Sequence, residues 1–216
     1  MAVAVTLGSS WIYWYGFAYQ IHFAAGALVF AVLILTADLL PLRVSNKSTV
    51  GVWDIGVVLA VAALGPVWAA LATVPSALAV GRRDWLRTIY EIGHNVTIIF
   101  IAGTVFSFTS APLLSGSAAP ATQILYGTLA TSVVLLASNK MITATLFGFK
   151  YDQEFSETWK EIGQPYLLSD AVNVMTAGLG ALALVVYGPL AAVVVVTGSI
   201  GSQALVYRSR EQMKQI

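Results

Sequence analysis

The chain is 216 residues long, 58% hydrophobic and only 10% charged, with a formal net charge of +1. A soluble globular domain carries about 25% charged residues, so this composition, with a mean hydropathy of +0.80, excludes an ordinary soluble fold and points to a polytopic helical membrane protein. The lack of cysteine excludes a disulfide framework, thiolate chemistry and a Cys-ligated metal, and apolar runs without period-2 alternation argue against a transmembrane barrel.

The first sixteen residues, MAVAVTLGSSWIYWYG, contain no Lys or Arg. They lack the basic region of a signal peptide and are expected to belong to the mature chain. Trp11, Tyr13, Trp14 and Tyr15 read as an interfacial aromatic belt before the first apolar run, 16–38. That run carries Tyr19, Gln20 and His22. Gln20 and His22 lie about 200° apart around a helix and share no face. The next run, 52–81, would be about 45 Å long as one helix, against a bilayer core of about 30 Å. Gly65-Pro66 offers a division, since glycine ends one helix well and proline begins the next, but proline also occurs as a kink inside transmembrane helices. Further runs follow at 87–110, 120–147, 164–187 and 189–207. Between the fourth and fifth, GFKYDQEFSETWKEIGQP (148–165) reads as a cytoplasmic amphipathic segment with Phe155, Trp159 and Ile162 at helical spacing. Pro165 then opens the next span.

Charge placement favours a reversal at Gly65-Pro66. With it there are about seven spans, and all 11 Lys and Arg residues fall on one side. The opposite side receives the N-terminus, the Gly65-Pro66 turn, the loop SAPLLSGSAAP and the turn Tyr187-Gly188-Pro189-Leu190. Without it, Arg43 and Lys47 oppose Arg82, Arg83 and Arg87. Apolar runs of this length predict a multi-pass all-α transmembrane bundle, and the positive-inside rule puts its N-terminus outside and its C-terminus in the cytoplasm. It forms one domain, 1–216, with a cytoplasmic tail at 208–216.

Ionisable groups within spans are costly and face the bundle interior or a cavity. Glu91, His94 and Asn95 share one helix face through their i, i+3, i+4 spacing. Asp170 and Asn173 lie one turn apart. Asn139 and Lys140 sit near the inner end of their span, Asp54 at the inner start of another, and Gln203 in the last. All of these fall in the cytoplasmic half. Two readings are open. The groups form a buried network in which Lys140 pairs with Glu91 or Asp170 and the asparagines bridge helices, or they line a cavity that binds a polar ligand or moves a proton or cation. Glu91 and His94 make a single E-x-x-H pair with no second copy, so no metal site is expected, and hydrolase motifs and phosphate-loop spacing are missing. Small residues such as Ala27, Ala31, Gly178, Gly180, Gly198 and Gly201 allow close helix approach.

The run ADLLPLRVSNKSTVGVWDIGVVLAVAALGPVWAAL resembles the opening of a membrane-associated sensor domain found N-terminal to bacterial HD-GYP and GGDEF signalling proteins. The resemblance is carried by Leu40-Pro41, Leu64-Gly65-Pro66 and Ala69-Ala70. It continues through YEIGHNVTIIFIAGTVF with Asn95, LLASNKMITATLFG with Asn139, and the exit ALVYRSREQMKQI. It implies a sensory or ligand-binding module, not an enzyme, that couples the polar cluster to the last helix or to a partner. The exit helix would then transmit a signal or dock that partner; its plainer role is a cytoplasmic stop signal. The short helical pair about a Gly-Pro turn is also similar to the substrate-binding S components of energy-coupling-factor vitamin transporters, which implies a ligand pocket nearer the outer side. A third expectation is an accessory subunit of a larger membrane complex. The expected partners are the lipid bilayer, a cytoplasmic signalling or membrane protein and a small-molecule ligand; nothing points to nucleic acid or to a particular cofactor.

Overall fold

The structure, a computed structural model, describes residues 22–39, 42–45, 48–50, 52–82, 84–113, 119–162, 167–188 and 190–215. The expected aromatic belt at Trp11, Tyr13, Trp14 and Tyr15, together with Tyr19 and Gln20, lies outside them. So do Pro165 and the side chains of His22, Gln203 and the tail.

Among the described residues, the regular structure is helical apart from one short ribbon. In order, the helices are α1 (His22–Leu39), α2 (Trp53–Leu64), α3 (Pro66–Gly81), α4 (Trp85–Thr109), α5 (Ala121–Tyr151), α6 (Phe155–Ile162), α7 (Leu167–Tyr187) and α8 (Leu190–Gln215). The ribbon joins α1 to α2 through antiparallel β1 (Leu42–Ser45) and β2 (Ser48–Val50), with Leu42 opposite Val50. Val44, Thr49 and Val50 are β-branched and flank Asn46-Lys47, a pattern that favours a hairpin.

Among the described residues, three helices are long and apolar enough to cross a membrane: Trp85–Thr109, Ala121–Tyr151 and Ser169–Tyr187. This is a membrane protein. Four shorter apolar helices, of 10–17 residues, accompany them: Phe23–Leu39, Trp53–Leu64, Pro66–Gly81 and Leu190–Ser202.

The long apolar run does break at Gly65. Its φ of 84° and ψ of 171° fall in a region essentially confined to glycine. Pro66 then takes the first position of α3, where its missing N–H costs no hydrogen bond. At 12 and 16 residues, α2 and α3 are about 18 and 24 Å long. Neither spans a bilayer core of about 30 Å alone. Close packing fixes the bend: a Cβ on Gly103 of α4 would stand 2.5 Å from Pro66 Cβ, and one on Gly65 would stand 3.1 Å from Pro112 Cγ.

Helix α2 is the hub. Every residue from Ile55 to Leu64 is buried, and α1, α3, α4, α5, α7 and α8 all pack on it. A helix apolar on all faces belongs in the interior, and WDIGVVLAVAAL has one polar group, Asp54, in its first turn. Helix α4 starts at Asp84, whose carboxylate accepts from the backbone N–H groups of Leu86 (2.9 Å) and Arg87 (3.4 Å) and so caps the helix. Helix α5 ends at Asp152 in a left-handed conformation, φ 53°, and α6 folds back against it with Thr158 buried.

Candidate functional site

A charged centre lies between α2, α5 and α7. Lys140 Nζ on α5 donates to Asp170 Oδ2 on α7 in an ion pair. Both side chains are about one-sixth exposed, at 15% and 17%, so the pair is largely desolvated and each charge depends on the other. Lys140 therefore takes Asp170, not Glu91. Glu91 pairs along its own helix with Arg87, at 3.7 Å.

Asp54 stands beside the pair. Its carboxylate is within Coulombic reach of Lys140, Asp170 and Asp38. Its Oδ1 is fully buried and has no hydrogen-bond partner among the described residues. A buried carboxylate oxygen without a donor is costly, and here Asp170 and Asp38 add to that cost while Lys140 offsets it. Asp38 of α1 accepts from the Ser76 hydroxyl of α3, which partly satisfies it. Ser76→Ala is expected to lower stability by about 1–3 kcal/mol by removing that donor, read as the shift in midpoint of reversible unfolding in mixed micelles.

A crevice of about 160 Å³ runs between the same three helices, lined by Asp54, Ser132 and Asn173 with Ile55, Val58 and Leu136, and nowhere is it wide enough for a water molecule. Ser132 and Asn173 are buried, at 2% and 4% exposure.

A second polar contact joins α4 to α5 one residue before Lys140. His94 Nε2 and Asn139 Oδ1 lie 2.9 Å apart. Asn139 offers an acceptor there, so Nε2 carries the proton. His94 also stacks on Tyr90 with ring centroids 5.6 Å apart, and its Nδ1 is buried without a partner. Asn139→Leu would leave both ring nitrogens unmatched and is expected to cost about 1–3 kcal/mol, measured by the same unfolding assay. Asn95 is buried at 7% exposure.

Of the residues singled out in the sequence, the structure joins Lys140 with Asp170, sets Asp54 and Asn173 about one crevice, and joins His94 with Asn139. Glu91 stands apart with Arg87. Sequence reasoning missed Asp38, Ser76 and Ser132. Asp38 lies near the inner end of the first apolar run, at the depth assigned to Asp54, and the same depth argument would have included it. Serines inside apolar runs gave no such signal. Among the described residues, no group of three or more His, Asp or Glu side chains converges to hold a metal ion.

A second crevice lies at the other end of α2. Phe23, Leu64, Gly65, Pro66, Trp68 and Pro112 line it, Phe23 stacks on Trp68 at 6.4 Å, and the Trp68 indole N–H is buried without a partner.

Fold and site together define a helical membrane protein with a charged centre inside its bundle. Comparison with protein-family models, curated proteins and solved structures gives no match.

Proposed function

We propose that this chain is a sensory or ligand-binding module of a bacterial inner membrane, not an enzyme, in which the Asp54–Lys140–Asp170 centre is coupled to the C-terminal helix. In this reading the seven apolar helices form seven passes, with α2 and α3 as a short hairpin, the N-terminus outside and the C-terminus cytoplasmic. The resemblance to sensor domains of HD-GYP and GGDEF proteins and the one-sided Lys and Arg distribution favour it. The observation that carries it is the ion pair between α5 and α7 beside an unsatisfied carboxylate on the central helix. A ligand that prefers the unpaired arrangement of such a centre shifts the population toward it. Asp170 lies on α7, which connects through the Gly188 turn directly to α8, so a displacement of α7 reaches the exit helix.

Paired spin labels test this. The chain has no cysteine, so cysteines placed at the exposed Met141 and Ser202 are the sole labelling sites. The distance distribution between them is expected to shift in Asp170→Asn relative to the unmodified centre. An unchanged distribution would mean that α8 does not respond to the centre.

The alternative reading, a substrate-binding subunit of a vitamin-type transporter, draws on the aromatic crevice at Phe23, Trp68 and Pro112, an apolar site with one unused donor. Quenching of Trp68 fluorescence by a vitamin would favour it. An accessory subunit of a larger complex would instead copurify with that complex in fixed ratio.

A further inference from the structure

We propose that the crevice between α2, α5 and α7 is a binding site for a small monovalent cation, H⁺ or Na⁺, held on Asp54 Oδ1 with the Ser132 hydroxyl and the Asn173 carbonyl oxygen as neutral ligands. This rests on the sensory reading above and names the ligand of that centre.

Three observations converge. First, the charge is unbalanced among the described residues. The described groups that act on Asp54 are Asp38 on α1, Lys140 on α5 and Asp170 on α7. Lys140 is engaged by Asp170. On α4, Arg87 and Glu91 pair with each other, and His94 bonds Asn139. Helix α3 and residues 190–202 of α8 carry no charge. Uncompensated anionic charge inside a membrane bundle recruits a cation or a proton. Second, the oxygens suit a hard cation. Asp54 Oδ1 has no donor and is fully buried. Ser132 Oγ donates to the Thr128 carbonyl at 2.8 Å, which leaves its lone pairs available. Asn173 is 4% exposed and faces the same crevice. Third, the crevice has no room for a molecule as large as water, which excludes an organic ligand there.

The test uses the full chain in nanodiscs of zwitterionic lipid, with thermal unfolding followed across pH in sodium chloride and in choline chloride at equal ionic strength. Sodium is expected to raise Tm saturably where choline does not, as binding to the native state requires, with a midpoint that moves to higher sodium as pH falls. Asn173→Ala is expected to move that midpoint up about tenfold, the scale of one lost buried polar contact. Asp54→Asn is expected to abolish the response. If Tm follows pH in the wild type but not in Asp54→Asn, and sodium equals choline, the resident cation is the proton. Identical pH and salt curves for wild type and Asp54→Asn would overturn the site. Should Asp54→Asn not fold, a wild type indifferent to both pH and sodium overturns it equally. A cation response without movement between labels at Met141 and Ser202 would keep the site and remove the sensory reading. Movement in Asp170→Asn without any cation response would do the reverse.

Discussion

Lys140→Met is expected to destabilise the bundle by about 3–5 kcal/mol, because it leaves Asp170 and Asp54 buried without their cation. The double variant Lys140→Met/Asp170→Leu is expected to recover most of that loss, since an apolar pair of similar volume removes the desolvated charges altogether. Reversible unfolding in mixed micelles measures both. The asymmetry matters more than either value. A double variant whose loss equals the sum of the two single losses would mean that the two side chains contribute independently, contrary to their direct contact. The double variant would be stable yet, on the reading above, unresponsive.

The second large effect is expected at the bend. Gly65→Ala forces a side chain into φ 84°, ψ 171°, at a cost of about 1–3 kcal/mol, and its Cβ also meets Pro112. Gly103→Ala acts from the other side. Its Cβ would lie 2.5 Å from Pro66 Cβ, so α4 must move away from α3, an overpacking effect of about 1–3 kcal/mol. The two positions meet at Pro66, so their combined effect is expected to depart from the sum by about 0.5 kcal/mol or more. Strict additivity would show that α4 does not hold the bend. Pro66 itself is less decisive, because α3 already accommodates Pro75 in its interior.

The bend illustrates what was legible in the sequence. Length arithmetic and the Gly-Pro step made a division of run 52–81 possible, the one-sided placement of Lys and Arg decided for it, and glycine fits the dihedrals that the bend requires. Helix α4 begins and ends within two residues of the apolar run read at 87–110, and α5 extends the run at 120–147 to Tyr151. Its last turn, FGFKY, is more polar than the rest, so hydropathy lost it while hydrogen bonding kept it helical. The ribbon at residues 42–50 escaped because the eye followed apolar length, and strands this short carry little of it.

The site was legible by depth more than by motif. The topology placed Lys140, Asp170 and Asp54 in the same half of the membrane, and charge complementarity left Glu91 and Asp170 open as partners of Lys140. Depth does not fix azimuth, which is why Glu91 was grouped with the centre although it faces Arg87. It also explains the missed serines. Ser76 and Ser132 read as ordinary small residues of packed helices until the neighbouring helices showed which face they present to Asp38 and to the crevice.

A double-mutant cycle between Asp54 and Lys140 tests most directly whether α2, α5 and α7 share one electrostatic centre. The two residues lie 86 positions apart in the chain and are joined only if the bundle brings them together. Unfolding free energies of the wild type, Asp54→Asn, Lys140→Met and the double variant are expected to give a coupling of at least about 1 kcal/mol. Effects that add to within about 0.3 kcal/mol would contradict a common centre and leave Lys140–Asp170 as an isolated clasp between two helices.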